Sequence, residues 1–363
     1  MTTTATRNPG ATLLGRVLKL AERMTTPLVP ADYLDVIDPL RSGINLRGRI
    51  VGIRPETRDA ATLVIRPGRG WRTHVPGQYL RIGVDMDGVR RWRAYSLTSP
   101  ADRPDGCITI TVKAIPDGLV SNYLVRRATV GTVVQLDQAA GEFVMDSPAP
   151  ANVLFITAGS GITPVMGMLR SLPADAASDI VVVHSAPTAA DVIFGGELRM
   201  LAAQNRIRLM EIHTDADGML AIDTLDDLVG ELAEYHTWAC GPAAMLDAIE
   251  NHWAAAGIAH QLHTERFRPN ISAIGDGGSV TFSVTGRTVE NDGAQSLLDT
   301  GESAGVLMPS GCRMGICFGC VAPLRQGAVR DLRTGEITTA TDGDGVVVQT
   351  CISAAAGVCE IEL

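Results

Sequence analysis

Lysine is almost missing from this chain of 363 residues: only Lys19 and Lys113 occur, arginine carries the remaining positive charge, and the formal net charge is -9. An acidic balance of this kind excludes non-specific nucleic-acid binding as the main activity. No apolar run approaches the eighteen or more residues of a membrane span, and the N-terminus lacks an uninterrupted hydrophobic stretch followed by a small-residue cleavage site. A cytoplasmic protein is therefore expected. Seven cysteines is an odd number for a chain of this length, and an extracellular disulfide framework is not expected.

What is present is an ordinary globular composition, 45% hydrophobic and 20% charged, with length for two or three domains. The most informative stretch runs from Ser310 to Cys320 and reads Ser-Gly-Cys-Arg-Met-Gly-Ile-Cys-Phe-Gly-Cys. Cys312, Cys317 and Cys320 are spaced C-x4-C-x2-C, and Cys351 follows about thirty residues on, the plant-type ligand pattern for a [2Fe-2S] cluster. A structural zinc site competes for such cysteines, but zinc knuckles pair two short C-x2-4-C or His-containing turns. Here the first gap is four, and the fourth ligand stands alone. Cys359 is the weaker candidate for that ligand because it lies in an apolar closing strand.

Four further stretches organise the chain. Residues 1–44 are an extension in which Leu14, Val17, Leu18, Ala21 and Met24 recur at helical spacing with Arg16, Lys19 and Arg23 between them, a short basic amphipathic helix. Two readings stand for it: a surface that meets a membrane or an acidic partner, and a helix that packs its apolar face on the next domain. From about Gly48, short β-like runs at 49–54, 61–65, 79–84, 107–112 and 132–136 are separated by Pro/Gly turns, which suggests a small antiparallel barrel. From 151 the pattern changes to strands at 152–157, 179–184, 207–213 and 236–240 alternating with helical stretches, which suggests a parallel Rossmann-like sheet. The strand at 152–157 runs into Ala158-Gly159-Ser160-Gly161-Ile162-Thr163-Pro164, a glycine turn at a helix start and hence a place for phosphate, although Pro164 occupies the third glycine position of the full fingerprint. After a linker at 268–278, residues 279–363 read as a hairpin at 280–290, a helix at 296–304 and a last strand at 359–363.

Within the first of these units sit Pro76-Gly77-Gln78-Tyr79, Arg93-Ala94-Tyr95-Ser96-Leu97 and Gly118-Leu119-Val120-Ser121-Asn122-Tyr123-Leu124, and together they resemble the flavin domain of the ferredoxin-NADP reductase superfamily, whose marker is Arg-x-Tyr-Ser. The resemblance implies Tyr95 on the isoalloxazine, Ser96 near its N5, and Arg93 with Gly118, Val120 and Ser121 at the phosphate end. Cys240-Gly241-Pro242 resembles the end of a strand in the superfamily's nicotinamide domain, which implies Cys240 beside the nicotinamide and a cofactor site that takes in Gly241, Pro242 and the phosphate turn with Gly159, Gly161 and Thr163. Thr264-Glu265-Arg266-Phe267 resembles the module's end, where an aromatic, here Phe267, shields the flavin until nicotinamide displaces it. Val348-Gln349-Thr350-Cys351 is similar to the fourth-ligand context of the ferredoxins.

The whole resembles oxygenase reductases such as those serving phenylacetyl-CoA epoxidase, and actinobacterial acyl-CoA desaturase reductases look similar. The fold class implied is multidomain: an antiparallel β-barrel flavin domain at 45–150, an α/β Rossmann-like nicotinamide domain at 151–267 and an α+β β-grasp ferredoxin domain at 279–363. The cofactors implied are FAD, with FMN the less favoured alternative, a [2Fe-2S] cluster, and NADPH or NADH. A flavin converts a two-electron hydride into single electrons that a [2Fe-2S] cluster can carry. The chain has no H-E-x-x-H, no carboxylate–His di-iron pair and no Rieske Cys–His pattern, so oxygen chemistry falls to a partner. The expected partner is a membrane fatty-acyl desaturase or alkane hydroxylase, with peripheral membrane contact through the basic helix. The alternatives are a soluble di-iron or Rieske oxygenase and, in another class, a redox-sensing module without turnover.

Overall fold

The computed structural model describes residues 40–41, 46–86, 88–116, 118–173, 178–267, 273–311, 313–315 and 318–363. The basic amphipathic stretch expected at 14–24 lies outside these residues, as do Cys312 and Cys317.

The chain forms three sheets in sequence order. The first joins β1 (Arg47–Thr57), β2 (Ala60–Pro67), β3 (Tyr79–Met86), β4 (Val89–Ser96), β5 (Ile108–Lys113) and β6 (Val133–Leu136) in the order β4-β3-β6-β1-β2-β5. All these pairings are antiparallel. Its two edges meet, because Leu97, directly after β4, bridges to Ile110 of β5 and Thr98 N donates to Thr109 O at 2.8 Å. That contact closes the barrel and leaves little free edge. Ile50, Leu63, Ile65, Leu80, Ile82, Ile110 and Leu136 fill its interior.

The second sheet is wholly parallel, with β7 (Asn152–Ala158), β8 (Asp179–Ala186), β9 (Arg208–His213), β10 (His236–Cys240) and β11 (Leu262–Glu265) in the order β11-β10-β7-β8-β9. The near-continuous apolar runs of β7 and β8 follow from burial on both faces. One face packs Val165, Met168 and Leu169 of the helix Ile162–Ser171, and the other packs Leu246, Ile249 and Trp253 of the helix Ala243–Ala255.

The third sheet is mixed. β12 (Gly278–Phe282), β13 (Arg287–Asn291), β14 (Val321–Asp331), β15 (Ile337–Ala340) and β17 (Ser353–Ile361) run in the order β13-β12-β17-β14-β15, while β16 (Val347–Gln349) pairs with β14. β12 and β17 are parallel and the other pairs antiparallel. The helix Leu297–Ser303 covers this sheet, and Ser296 caps it by accepting from Asp299 N at 3.1 Å. Residues 273–278, expected to be part of a linker, are tied to this unit instead: Ala273 N donates to Leu332 O at 3.0 Å and Gly275 N to Gly293 O at 2.6 Å.

The barrel and the parallel sheet are packed without slack. A Cβ on Gly167 would lie 2.4 Å from Leu97 O, and one on Gly77, whose φ is +97°, would lie 2.5 Å from Met168 Cε. Arg170 crosses the same contact, donating to Thr98 O at 2.6 Å and pairing with Glu197.

Candidate functional site

A cavity of about 490 Å³ opens where the three units meet. Its barrel wall is β4, which carries Arg93, Tyr95 and Ser96 on one continuous strand, with Tyr79 opposite Ser96 in the β3–β4 register. Strand alternation would aim Arg93 and Tyr95 one way and Ser96 the other, yet all three line the cavity. Ser96 is buried, and its Oγ meets no hydrogen-bond partner among the described residues. A buried hydroxyl in that condition costs free energy unless something bound in the cavity completes it. Burial raises the Tyr95 phenol pKa, so its ring presents a neutral face. Burial, helped by the nearby Arg313, lowers Arg93 to about 10, which leaves it charged at neutral pH.

The far end of the cavity reaches Gly118, Val120 and Ser121. Gly118, expected to lie in a turn, is the N-cap of the helix Leu119–Arg126, so the free N–H groups and dipole of that helix start face the cavity. A Cβ at Gly118 would meet Ser121 Oγ at 2.5 Å. Ser121 Oγ is itself engaged locally, donating to Gly118 O at 3.1 Å and accepting from Ile115 N at 3.3 Å, and it fixes the turn. Val120 is fully buried in the barrel core beneath it.

The opposite wall comes from the C-terminal edge of the parallel sheet, the place where such sheets bind ligands. Ser160 and Thr163 line the cavity, and Thr163 Oγ1 donates to Ser160 O at 2.9 Å. Gly159 has φ +53°, and a Cβ on Gly161 would lie 2.0 Å from Cys240 O, so only glycine lets this turn rest against the end of β10. Cys240, Gly241 and Pro242 stand behind that turn rather than in the cavity wall. The Cys240 thiol is wholly buried, and its pKa is raised by burial and further by Glu265.

Glu265, quoted in the terminal motif but given no role by the sequence, is the residue that this edge adds. β11 pairs it directly with Cys240, burial pushes its carboxyl up to about 8, and its Oε2 has no partner among the described residues. Phe267 follows at the cavity rim, 36% exposed. No local signal could have marked Glu265, because β11 spans four half-buried residues without apolar alternation.

The third unit contributes Asp299, Arg313 and Met314 to the same cavity. Arg313 pairs with Asp299 at 2.9 Å and with Glu302, and Arg91 of β4 reaches Glu302 at 3.9 Å. Met314 also lines a second cavity, which holds Phe318 and Gly315 of the cysteine loop. Of the cysteines, Cys320 and Cys351 are buried and have their sulfurs 3.1 Å apart, close enough to share one iron. Cys312 and Cys317 lie outside the described residues. Arg313, Gly315 and Phe318 all take positive φ, which winds this loop tightly.

This geometry fits a flavin and a cluster in one connected site. The orphaned Ser96 hydroxyl, the aromatic Tyr95, the cationic Arg93 and the helix start would hold the flavin, and Cys320 with Cys351 would hold half of the cluster.

Comparison with known proteins agrees unit by unit. The oxidoreductase FAD-binding domain family matches residues 71–145, the oxidoreductase NAD-binding domain family residues 155–251 and the 2Fe-2S iron-sulfur cluster binding domain family residues 280–356. An NADPH oxidoreductase of Mycobacterium tuberculosis (strain ATCC 25618 / H37Rv) is 49% identical over 365 residues, covering 99% of this chain and 94% of that protein. The ferredoxin reductase component of 3-ketosteroid-9-alpha-monooxygenase from Mycobacterium tuberculosis (strain CDC 1551 / Oshkosh) is 30% identical, covering 84% of this chain and 92% of that protein. The fold is that of phthalate dioxygenase reductase, at a TM-score of 0.63 and 20% identity, covering 88% of this chain and 98% of that structure.

The chain belongs to the family of NAD(P)H-dependent ferredoxin reductases that join FAD-binding, NAD-binding and [2Fe-2S] domains. It is an oxidoreductase, an electron-transfer component of oxygenase systems.

Proposed function

We propose that this reductase takes hydride from NAD(P)H in the cavity between Ser96 and the turn that carries Ser160 and Thr163, and delivers single electrons to a membrane-bound fatty-acyl desaturase or alkane hydroxylase. The observation that carries the electron path is the single cavity walled by all three units. Bound flavin supplies the conversion from two electrons to one.

The residues have separable tasks. Tyr95 supports the flavin ring, Ser96 hydrogen-bonds at its reactive edge, and Arg93 with the Leu119–Arg126 helix start holds its phosphates. Gly159, Gly161 and Thr163 seat the nicotinamide nucleotide, with Cys240-Gly241-Pro242 shaping the floor beneath it. Glu265 holds a proton at neutral pH beside that floor. Phe267 covers the cavity mouth and excludes water. Cys312, Cys317, Cys320 and Cys351 bind the cluster.

The acceptor assignment rests on the basic amphipathic stretch at 14–24, which suits a partner at a membrane surface. Among the described residues no helix is long and apolar enough to cross a membrane, so contact of this kind would be peripheral. A second reading, the reductase of an oxygenase outside the membrane, draws support from relatives named as components of 3-ketosteroid-9-alpha-monooxygenase and glycine betaine monooxygenase. NAD(P)H consumption by the purified reductase, measured with the membrane and the soluble fractions of the source organism, separates them. Stimulation by the membrane fraction that is lost on deleting residues 1–26, with reduction of a small artificial acceptor unchanged, supports the first. Stimulation by the soluble fraction alone overturns it.

A further inference from the structure

The cysteine loop does more in this fold than present ligands, because Arg313, which follows Cys312, reaches the wall of the cavity assigned above to the flavin. It shares that wall with Arg93 of the barrel, and the Leu119–Arg126 helix start opens on the same space. The Arg313 side chain is 15% exposed, and two arginines this near one another, away from water, repel unless anions lie among them. Among the described residues, the acids acting on Arg93 are Asp299 and Glu302. Both already pair with Arg313, and Glu302 is shared with Arg91. Three guanidiniums therefore face two carboxylates, and Nε of Arg313 is buried with no acceptor among the described residues. Positive charge is therefore in surplus at a cavity wall beside a helix start, an arrangement suited to phosphate oxygens.

We propose that Arg313 is a ligand of the flavin's phosphate group, so that the phosphate site is completed across the unit boundary by the loop that carries the cluster. Bound flavin then ties the ferredoxin unit to the barrel, and the loop that receives electrons is docked only where a donor is in place. The inference rests on the assignment of this cavity to the flavin.

The test is titration of flavin-stripped protein with FAD, FMN and riboflavin, followed by flavin fluorescence, for the parent chain, Arg313→Gln and Arg313→Lys. Removing one charge-assisted contact should weaken FAD and FMN by roughly ten- to hundredfold in Arg313→Gln, and by less in Arg313→Lys, which keeps the charge and loses the fork. Riboflavin, which has no phosphate, should bind all three proteins alike. Visible cluster absorbance reports whether each variant has folded round its cysteines. If Arg313→Gln does not assemble its cluster, the comparison of parent with Arg313→Lys decides. Unchanged FAD affinity, or an equal loss for FAD and riboflavin, would overturn the role of Arg313. Failure of the parent protein itself to bind any flavin would instead overturn the assignment of the cavity.

Discussion

Glu265 and Cys240 are direct partners in the register of β11 on β10, a half-buried carboxyl with its Oε2 sealed from solvent beside a buried thiol, at the edge where the parallel sheet faces the barrel. Neither group ionises readily there: burial raises both, and each would repel the other's anion.

The first prediction follows from the Glu265 carboxyl, which burial lifts from 4.5 to about 8. Flavin reduction by NAD(P)H in a stopped-flow instrument should fall as pH rises through about 8 in the parent protein. Glu265→Gln should lose that inflection and react roughly 10²- to 10⁴-fold more slowly if Glu265 handles a proton. Stability moves in the same direction. The folded chain keeps a proton that the unfolded chain releases between pH 4.5 and about 8, so stability declines across that window as pH rises. Glu265→Gln should lack that decline in thermal melts.

The second concerns the fourth cysteine. Cys351 faces Cys320 at 3.1 Å, whereas Cys359 is buried in β17 against Gly327. Cys351→Ser should lose the visible cluster absorbance and acceptor reduction while the flavin still bleaches with NAD(P)H. Cys359→Ser should keep all three, and the reverse pattern would exchange the two assignments.

A third uses the close approach of Gly161 to Cys240. An alanine Cβ would lie 2.0 Å from a backbone oxygen that cannot swing aside. Gly161→Ala should destabilise the protein by about 1–3 kcal/mol or more and slow hydride transfer. Its cluster spectrum should remain normal, because the ferredoxin core is separate.

The fourth concerns the nicotinamide. No Lys or Arg lies between Arg170 and Arg199, and the cations beyond are committed. Arg199 grips Glu211 through two contacts of 2.8 and 2.7 Å, and Arg206 points to Leu172 O and Pro173 O. Ser185 Oγ, buried without a partner among the described residues near the end of β8, is a neutral donor for a ribose hydroxyl or a phosphate. The ratio of kcat/KM for NADPH over NADH should stay below about tenfold, the scale of one charged contact. A ratio of a thousand would require an arginine from elsewhere to close the site.

Much of this was legible in sequence where apolar pattern and turn chemistry coincide. β10 was read from a run that ends in Cys-Gly-Pro, and its limits match. The strand at 152–157 was read one residue short of β7. β4, which carries Arg93 and Tyr95, escapes a reading as a strand, since arginines at 90, 91 and 93 interrupt the period of a half-buried edge. β11 was too short to register, so the partnership of Glu265 with Cys240 could not be seen. Glu302, which pairs with Arg313, also reaches Arg91 of the barrel some two hundred residues earlier in the chain, and no local pattern encodes that bridge.

The shared cavity also limits how such a reductase can be rebuilt. A cavity with walls from barrel, parallel sheet and cysteine loop cannot be inherited by one unit alone. A chimera that grafts a foreign ferredoxin onto residues 46–267 would carry over a working cluster but bring a mismatched wall. Exchange of modules in this architecture therefore demands matched side chains at 299, 302 and 313, whatever the freedom of the connecting chain.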